Sequence, residues 1–285
     1  MTQSTIFPQE RVTIVGVLNV TPDSFSNGGR FVRAGADLDL DAAVAEAQAL
    51  VASGAGMLDV GGESTRPGAD EVPVDVEIAR IRPVVEALAK SISAPISIDT
   101  RKAAVAEAAL DAGAAVVNDI TGLRFDPKLA GVTARAGAAI ILGHLRGDPA
   151  TMQRNVQFED VLVEVAAELR VAVAQALEAG VPVERIGVDP GIGFGKRLAH
   201  NLDLIANVGR IRESVGLPVL VGPSRKSFLG ELTGDPVARR VEASLAASAV
   251  AIFAGADAIR VHDVAGAVRL AAVARALRDA RRDAT

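Results

Sequence analysis

Along the chain, alanine-rich stretches repeatedly end in glycine and give way to short apolar runs. The change falls at Gly54 before Met57–Val60, Gly113 before Ala115–Asn118, Gly137 before Ala138–Leu142 and Gly180 before Ile186–Val188. It recurs at Gly216 before Val219–Val221 and at Gly255 before Ala258–Val261. Glycine just past a helix end supplies the left-handed cap, and a run of about 4–6 apolar residues after it reads as a buried strand. Val12–Leu18 and Ile96–Ile98, which follows the breaker Pro95, bring the set to eight. Each run precedes a helical pattern, at about 41–53, 75–90, 102–112, 127–136, 158–179, 199–214, 238–254 and 264–281. These segments are mostly Ala, Leu, Val, Glu and Arg, good or tolerable helix formers.

The strands are continuous apolar runs rather than alternating ones, which favours a parallel sheet covered on both faces. Eight strand–helix units in 285 residues predict an α/β fold, a (β/α)8 TIM barrel, for which about 250 residues is typical. A doubly wound open sheet is the alternative. The units run to the C-terminus without a change of composition, so the barrel is preferred and 1–285 reads as one domain, with 281–285 as a frayed tail. Long loops follow the first and second strands, at 19–40 and 61–74. Such loops over a barrel mouth are often lids, although plain mobile loops would look similar. Phe25, Arg66 and Pro67 are unusual choices for linkers: an aromatic and a proline offer flat apolar contact, and a guanidinium offers an anion fork.

Composition narrows the chemistry. With 30 Lys+Arg against 35 Asp+Glu the net charge is −5, a poor balance for a nucleic-acid binder. No stretch reaches the roughly 18–20 apolar residues of a membrane helix, and 1–11 lacks the apolar core of a signal peptide. Cys, Trp and Tyr are absent and there are three His, at 144, 200 and 262. Thiolate nucleophiles, Cys-ligated metals and phenolic acids are therefore excluded, and a cytoplasmic enzyme without thiol chemistry is expected.

In a barrel the chemistry lies at the C-terminal ends of the strands. Those ends carry Asn19, Asp59 with Glu63–Arg66 beyond, Asp99–Arg101, Asn118–Asp119, His144, Asp189, Ser224–Ser227 and Arg260–Asp263. Any one of these reads equally well as a helix cap, but convergence on one mouth points to function. Arg260 and His262 lie two apart on one strand and so face the same way; with Arg66 they could hold a phosphate or diphosphate. Asp99, Asp189 and Asn118 suit a flat heterocycle with an amino-amidine edge, because one carboxylate can accept two parallel N–H bonds. Lys226 could bond a ring carbonyl, or serve as a Schiff-base amine with its pKa lowered by Arg225 and Arg260.

Several ordered motifs carry a family resemblance. They are Gly16-Val-Leu-Asn-Val-Thr-Pro-Asp-Ser-Phe-Ser26, Asp59-Val-Gly-Gly-Glu-Ser-Thr-Arg-Pro-Gly68, Ser97-Ile-Asp-Thr100 and Val117-Asn-Asp-Ile120. Thr151-Met-Gln153, Asp189-Pro-Gly-Ile-Gly-Phe-Gly-Lys196, Ser224-Arg-Lys-Ser-Phe228 and Arg260-Val-His-Asp-Val264 follow in order. Over nearly its whole length the chain resembles the dihydropteroate synthases, pterin-binding TIM barrels. The resemblance implies condensation of (7,8-dihydropterin-6-yl)methyl diphosphate with 4-aminobenzoate in folate synthesis. It implies a pterin pocket of Asp99, Asn118, Asp189 and Lys226, and a diphosphate site of Thr65, Arg66, Arg260 and His262. It further implies Mg2+ on Asn19, and a 4-aminobenzoate site of Phe25, Thr65, Pro67 and Ser227 that resembles the target of sulfonamide drugs. Asp99, Lys226 and Arg260 would be catalytic, and a homodimer through the last helices is implied.

Three departures stand out. Asn27 takes the place of the family's usual Asp, His144-Leu-Arg-Gly varies the usual His-Met-x-Gly, and Pro223 precedes Ser224. His200, at a helix start, reads as structural. The competing readings are a pterin-binding methyltransferase-like domain, a Schiff-base aldolase using Lys226, and a non-catalytic pterin-binding paralogue.

Overall fold

The computed structural model describes residues 6–8, 10–21, 39–64, 68–148, 151–154 and 156–282. Its eight strands are β1 (Thr13–Asn19), β2 (Met57–Gly61), β3 (Ile96–Asp99), β4 (Val116–Asp119), β5 (Ala139–Gly143), β6 (Ile186–Asp189), β7 (Leu220–Val221) and β8 (Ala258–Val261). All pair in parallel in the order β6-β5-β4-β3-β2-β1-β8-β7, and a parallel bridge between Val188 and Val219 joins the two ends. The sheet thus closes into the expected barrel.

Alternation along the strands sorts residues between two cores. Ile14, Leu58, Val60, Ile98, Val117, Ile140, Val188, Val221 and Ile259 face outward into the large cluster shared with the helices. Their neighbours Val15, Met57, Val116, Ile141, Leu220 and Ala258 fill the lower bore, together with Ile6 and Phe7. The N-terminal segment is the floor of the barrel: Ile6 N–H donates to the Glu184 carbonyl at 3.0 Å. Both faces of each strand are therefore apolar at this level, which explains the unbroken runs. Above the floor the inward positions turn polar. Register sets Asp59 beside Ser97 and Gly61 beside Asp99, Asp99 beside Asn118, and Gly143 beside Asp189.

Ten α-helices surround the barrel among the described residues: α1 (Leu40–Ala52), α2 (Val74–Ser91), α3 (Ala103–Asp111), α4 (Lys128–Arg135), α5 (Val161–Glu178), α6 (Leu198–Ala206), α7 (Val208–Val215), α8 (Ser227–Thr233), α9 (Val241–Ala254) and α10 (Val264–Arg282). Two depart from the eight expected. The pattern over 199–214 is interrupted at Asn207, whose amide donates to both the backbone and side-chain oxygens of Asp203; this competition with the helical ladder is what asparagine does at helix ends. The seventh connection also folds its own short helix, α8, ended by Gly234 in the left-handed region at φ 76°. Residues 22–38 and 65–67 of the two long loops, and 283–285 of the expected frayed tail, lie outside the described residues.

Candidate active site

The mouth of the barrel is built on one arginine. Arg260, at an inward position of β8, donates through Nε to Asp59 Oδ2 at 2.6 Å and through Nη2 to Asp99 Oδ2 at 2.7 Å. Asn118 Nδ2 donates to the same Asp59 oxygen at 2.9 Å. Asp59 is fully buried and Asp99 nearly so, yet the other carboxylate oxygen of each lacks a hydrogen-bond partner among the described residues, as does Ser97 Oγ. Orphaned buried acceptors are costly in a native core, and here they line the bore immediately beneath the mouth. Burial pushes Asp99 up to about 7, against the pull of Arg260 and with the Asp59 charge adding to the rise. Arg260 is shifted upward: its two carboxylates outweigh its own burial.

Asp189 stands at the end of β6 and accepts from Gly191 N–H at 2.7 Å. Burial raises its pKa, and Lys226 acts in the opposite direction. Lys226 donates to the Ile192 carbonyl, and its ammonium lies 4.2 Å from the centre of the Phe194 ring. Burial is the main cause that lowers it to about 8, and Arg260 adds to the fall as expected. His262 Nδ1 lies 3.0 Å from Ser224 Oγ, and Ser227 opens α8 in an exposed position.

Five predicted residues are thus brought together in one interior: Asp99, Asn118, Asp189, Lys226 and Arg260. His262 lies on the same strand end as Arg260. Phe25, Asn27, Thr65, Arg66 and Pro67 lie outside the described residues. His200 lies in the first turn of α6, where its Nδ1 accepts from the Arg197 N–H at 3.3 Å and its ring packs against Phe158. Asp59 was visible at a strand end without a role, although it is the second anchor of Arg260. Phe194 and the Ile192 carbonyl lie inside the motif 189–196 and gave no separate signal, since a loop's contacts depend on its backbone path.

Asn19 ends β1 and is half-buried. A Cβ on the neighbouring Gly61 would lie 3.5 Å from both Asn19 Oδ1 and Asp99 Cβ, so glycine keeps the space between these side chains open. Among the described residues no group of three or more His, Asp or Glu could hold a metal. One amide oxygen beside an open space fits Mg2+ of the kind that keeps its waters and is carried mainly by substrate phosphates.

Fold and site together define a barrel enzyme whose mouth gathers buried carboxylates, an amide and basic side chains at the strand ends. The chain belongs to the pterin-binding enzyme family, which matches residues 15–262, and within it to the dihydropteroate synthases. The dihydropteroate synthase of Synechocystis is 43% identical, with 94% of this chain aligned to 91% of that protein. A probable bifunctional folylpolyglutamate synthase/dihydropteroate synthase of Haloferax volcanii is 46% identical over 94% of this chain, which spans only 31% of that longer protein. A crystal structure of Yersinia pestis dihydropteroate synthase in a sulfonamide drug complex is 40% identical and superposes with a TM-score of 0.89, covering 95% of each chain.

Proposed function

We propose that this chain, a transferase of folate biosynthesis, joins (7,8-dihydropterin-6-yl)methyl diphosphate to 4-aminobenzoate by a dissociative displacement. The observation that carries the reading is the set of buried Asp59, Asp99, Asn118 and Asp189 at the strand ends, faced by the half-buried Arg260 of β8 and Lys226 of the seventh loop. Asp189 accepts the paired N–H groups of the amino-pyrimidine edge, and Asn118 and Lys226 complete the ring's hydrogen bonds. Asp99 faces the reduced ring. The exocyclic C–O bond breaks with its electron pair leaving on the diphosphate, and the ionised Asp99 stabilises the resulting pterin cation in a site shielded from water. The aromatic amine then forms the C–N bond and releases a proton, so no protein nucleophile is needed.

Arg260 and His262, with Thr65 and Arg66, hold the diphosphate; Phe25, Thr65, Pro67 and Ser227 shape the 4-aminobenzoate end. Mg2+ on Asn19 would neutralise charge on the leaving diphosphate. The assay is diphosphate release from the pterin substrate with Mg2+, with and without 4-aminobenzoate. Formation of dihydropteroate only when both are present is expected, and no product would defeat the reading.

The same reading extends to a cytoplasmic homodimer. Support for the dimer is apolar surface on the last two helices, where Val250, Phe253, Val273 and Leu277 are exposed. Light scattering should then give twice the chain mass. Among the described residues no helix is long and apolar enough to cross a membrane.

A further inference from the structure

Behind the mouth lies a second line of charged groups that the proposed reaction does not use. Lys196, at the end of the β6 loop, is almost fully buried. Its ammonium has three donors and meets three acceptors: His144 Nδ1 at 3.0 Å, the Phe194 carbonyl at 3.0 Å and the His144 carbonyl at 3.3 Å. Glu168, whose carboxyl is held low chiefly by its bond to His144, can only accept, and burial lowers Lys196 well below the usual lysine range; the neutral ring therefore points its Nδ1 lone pair at Lys196 and carries its proton on Nε2. That nitrogen lies 3.0 Å from Glu168 Oε2 on α5, and Glu168 in turn accepts from Arg146. The line therefore runs from a helix on the outside of the barrel, through a neutral imidazole, to a buried lysine. Burial and Lys196 lower His144 to about 4, which keeps the imidazole in the required form at neutral pH.

What the line holds is the loop that shapes the pterin end. Phe194, whose carbonyl Lys196 binds, carries the Lys226 ammonium on its ring. His144 N–H donates to the Asp189 carbonyl at 3.0 Å. The loop lies too close to its neighbours for any side chain at Gly191, Gly193 and Gly195, where a Cβ on the last would fall 2.6 Å from the Arg146 carbonyl. A Cβ on Gly191 would fall 1.8 Å from the His144 carbonyl, and one on Gly193 would fall 2.8 Å from Lys226 Cδ. Gly193 is held further by its N–H to Asn201 Oδ1 at 2.6 Å and by Gln153 Nε2 on its carbonyl at 3.0 Å.

We propose that Glu168, His144 and Lys196 are positioning residues that fix the β6 loop, and through it Asp189 and Lys226, in the geometry that grips the pterin ring. None of the three needs to touch substrate. The inference rests on the reading that Asp189 and Lys226 hold the pterin, and the controls separate the two. Gln at position 144 can accept from Lys196 and donate to Glu168 as the neutral imidazole does, whereas Leu can do neither.

The experiment is calorimetric titration of (7,8-dihydropterin-6-yl)methyl diphosphate into the full chain, with KM for 4-aminobenzoate measured on the same samples. His144→Leu and Lys196→Met are expected to weaken pterin binding about tenfold or more, the loss of one or two well-formed buried hydrogen bonds. KM for 4-aminobenzoate should change less than about twofold, and His144→Gln should restore pterin affinity to within about threefold. Glu168→Ala, on a half-buried helix position and tolerant of truncation, should weaken pterin binding about threefold to tenfold, so the proposal stays testable if the buried variants do not fold. Wild-type pterin affinity in Glu168→Ala and in whichever buried variants fold would overturn the proposal, as would equal loss in the Leu and Gln variants. Failure of the parent to bind pterin, or undiminished binding by Asp189→Asn, would instead defeat the reading of the pocket.

Discussion

Asp99→Asn separates the cost of the site from its use. Asparagine keeps the shape of the side chain and an oxygen for Arg260 Nη2, now 2.7 Å from Asp99 Oδ2, but it never ionises. In the folded chain burial raises the Asp99 pKa from the usual 3.8 to about 7. Between those two values the folded state binds the proton that the unfolded chain has released, so stability falls as pH rises through that window and stays low above it. At about 1.4 kcal/mol per pH unit, the window corresponds to a cost on the order of 4 kcal/mol. Asp99→Asn should therefore match the parent near pH 4 and exceed it by up to that amount at pH 8. Turnover should move the other way, falling about 10²–10³-fold, as expected when a preorganised charge facing a developing cation is removed. Urea unfolding of both chains at intervals from pH 4 to pH 8, alongside kcat at pH 8, tests both halves. A stability difference that does not change with pH, or a variant less stable than the parent at pH 8, would refute the burial argument. Unchanged kcat would refute the role of Asp99 in stabilising the cation.

Three further outcomes follow from geometry. Lys226→Met should weaken pterin binding by about tenfold to a hundredfold; because Lys226 titrates at about 8 rather than its usual 10.5, parent affinity should also fall as pH rises through 8, read by titration from pH 6 to 10. Gly191→Ala should destabilise the fold by about 3 kcal/mol or more, since φ is +70° and the new Cβ would meet the His144 carbonyl at 1.8 Å; the urea midpoint measures it. Lys102→Met should cost about 3–5 kcal/mol in the same assay, because its ammonium pairs with buried Glu63 at 3.0 Å and Glu77 at 2.8 Å and both carboxylates would lose that partner.

The strands were legible because their signal is local: six follow a glycine-capped helix, one follows Pro95 and one opens the chain, and an apolar run after such a break needs no knowledge of the rest of the chain. β7 shows the limit, since only Leu220 and Val221 satisfy the ladder while the apolar run begins at Val219. α8 was not legible, because a seven-residue helix inside a loop has too few turns to show a period. The partners of the site residues were legible only as a set. The spacing of Arg260 and His262 suggested a shared face, but spacing could not say that Arg260 spends two of its nitrogens on Asp59 and Asp99. Asp59 lies 201 residues from Arg260, and barrel register, not sequence distance, makes them neighbours. Glu168 was hidden for a different reason: it reads as one more acid on an amphipathic helix until the path of β5 and the β6 loop brings His144 and Lys196 beside it.

Height in the barrel separates stability from recognition. On β1 the inward positions run Val15, Val17, Asn19; on β2, Met57, Asp59, Gly61; on β4, Val116, Asn118; on β8, Ala258, Arg260. On β2, β4 and β8 the strand begins in the apolar plug capped by Ile6 and Phe7 and reaches the polar layer two residues later; on β1 Val17 intervenes and the polar layer is reached at Asn19. A plug residue has only apolar neighbours, so its truncation opens a cavity and costs stability directly. A residue of the polar layer faces groups that are already costly to bury, so truncating it can relieve as much free energy as it removes. The two layers meet at Ser97, whose hydroxyl has no partner among the described residues and which stands beside Asp59 of β2 and Val116 of the plug. Ser97→Ala removes a buried polar atom at constant shape. It should stabilise the chain slightly if that hydroxyl belongs to the plug, and weaken pterin binding if it belongs to the pocket. Paired unfolding and titration measurements on this one variant therefore locate the boundary between the part of the barrel that holds the fold and the part that holds the ligand.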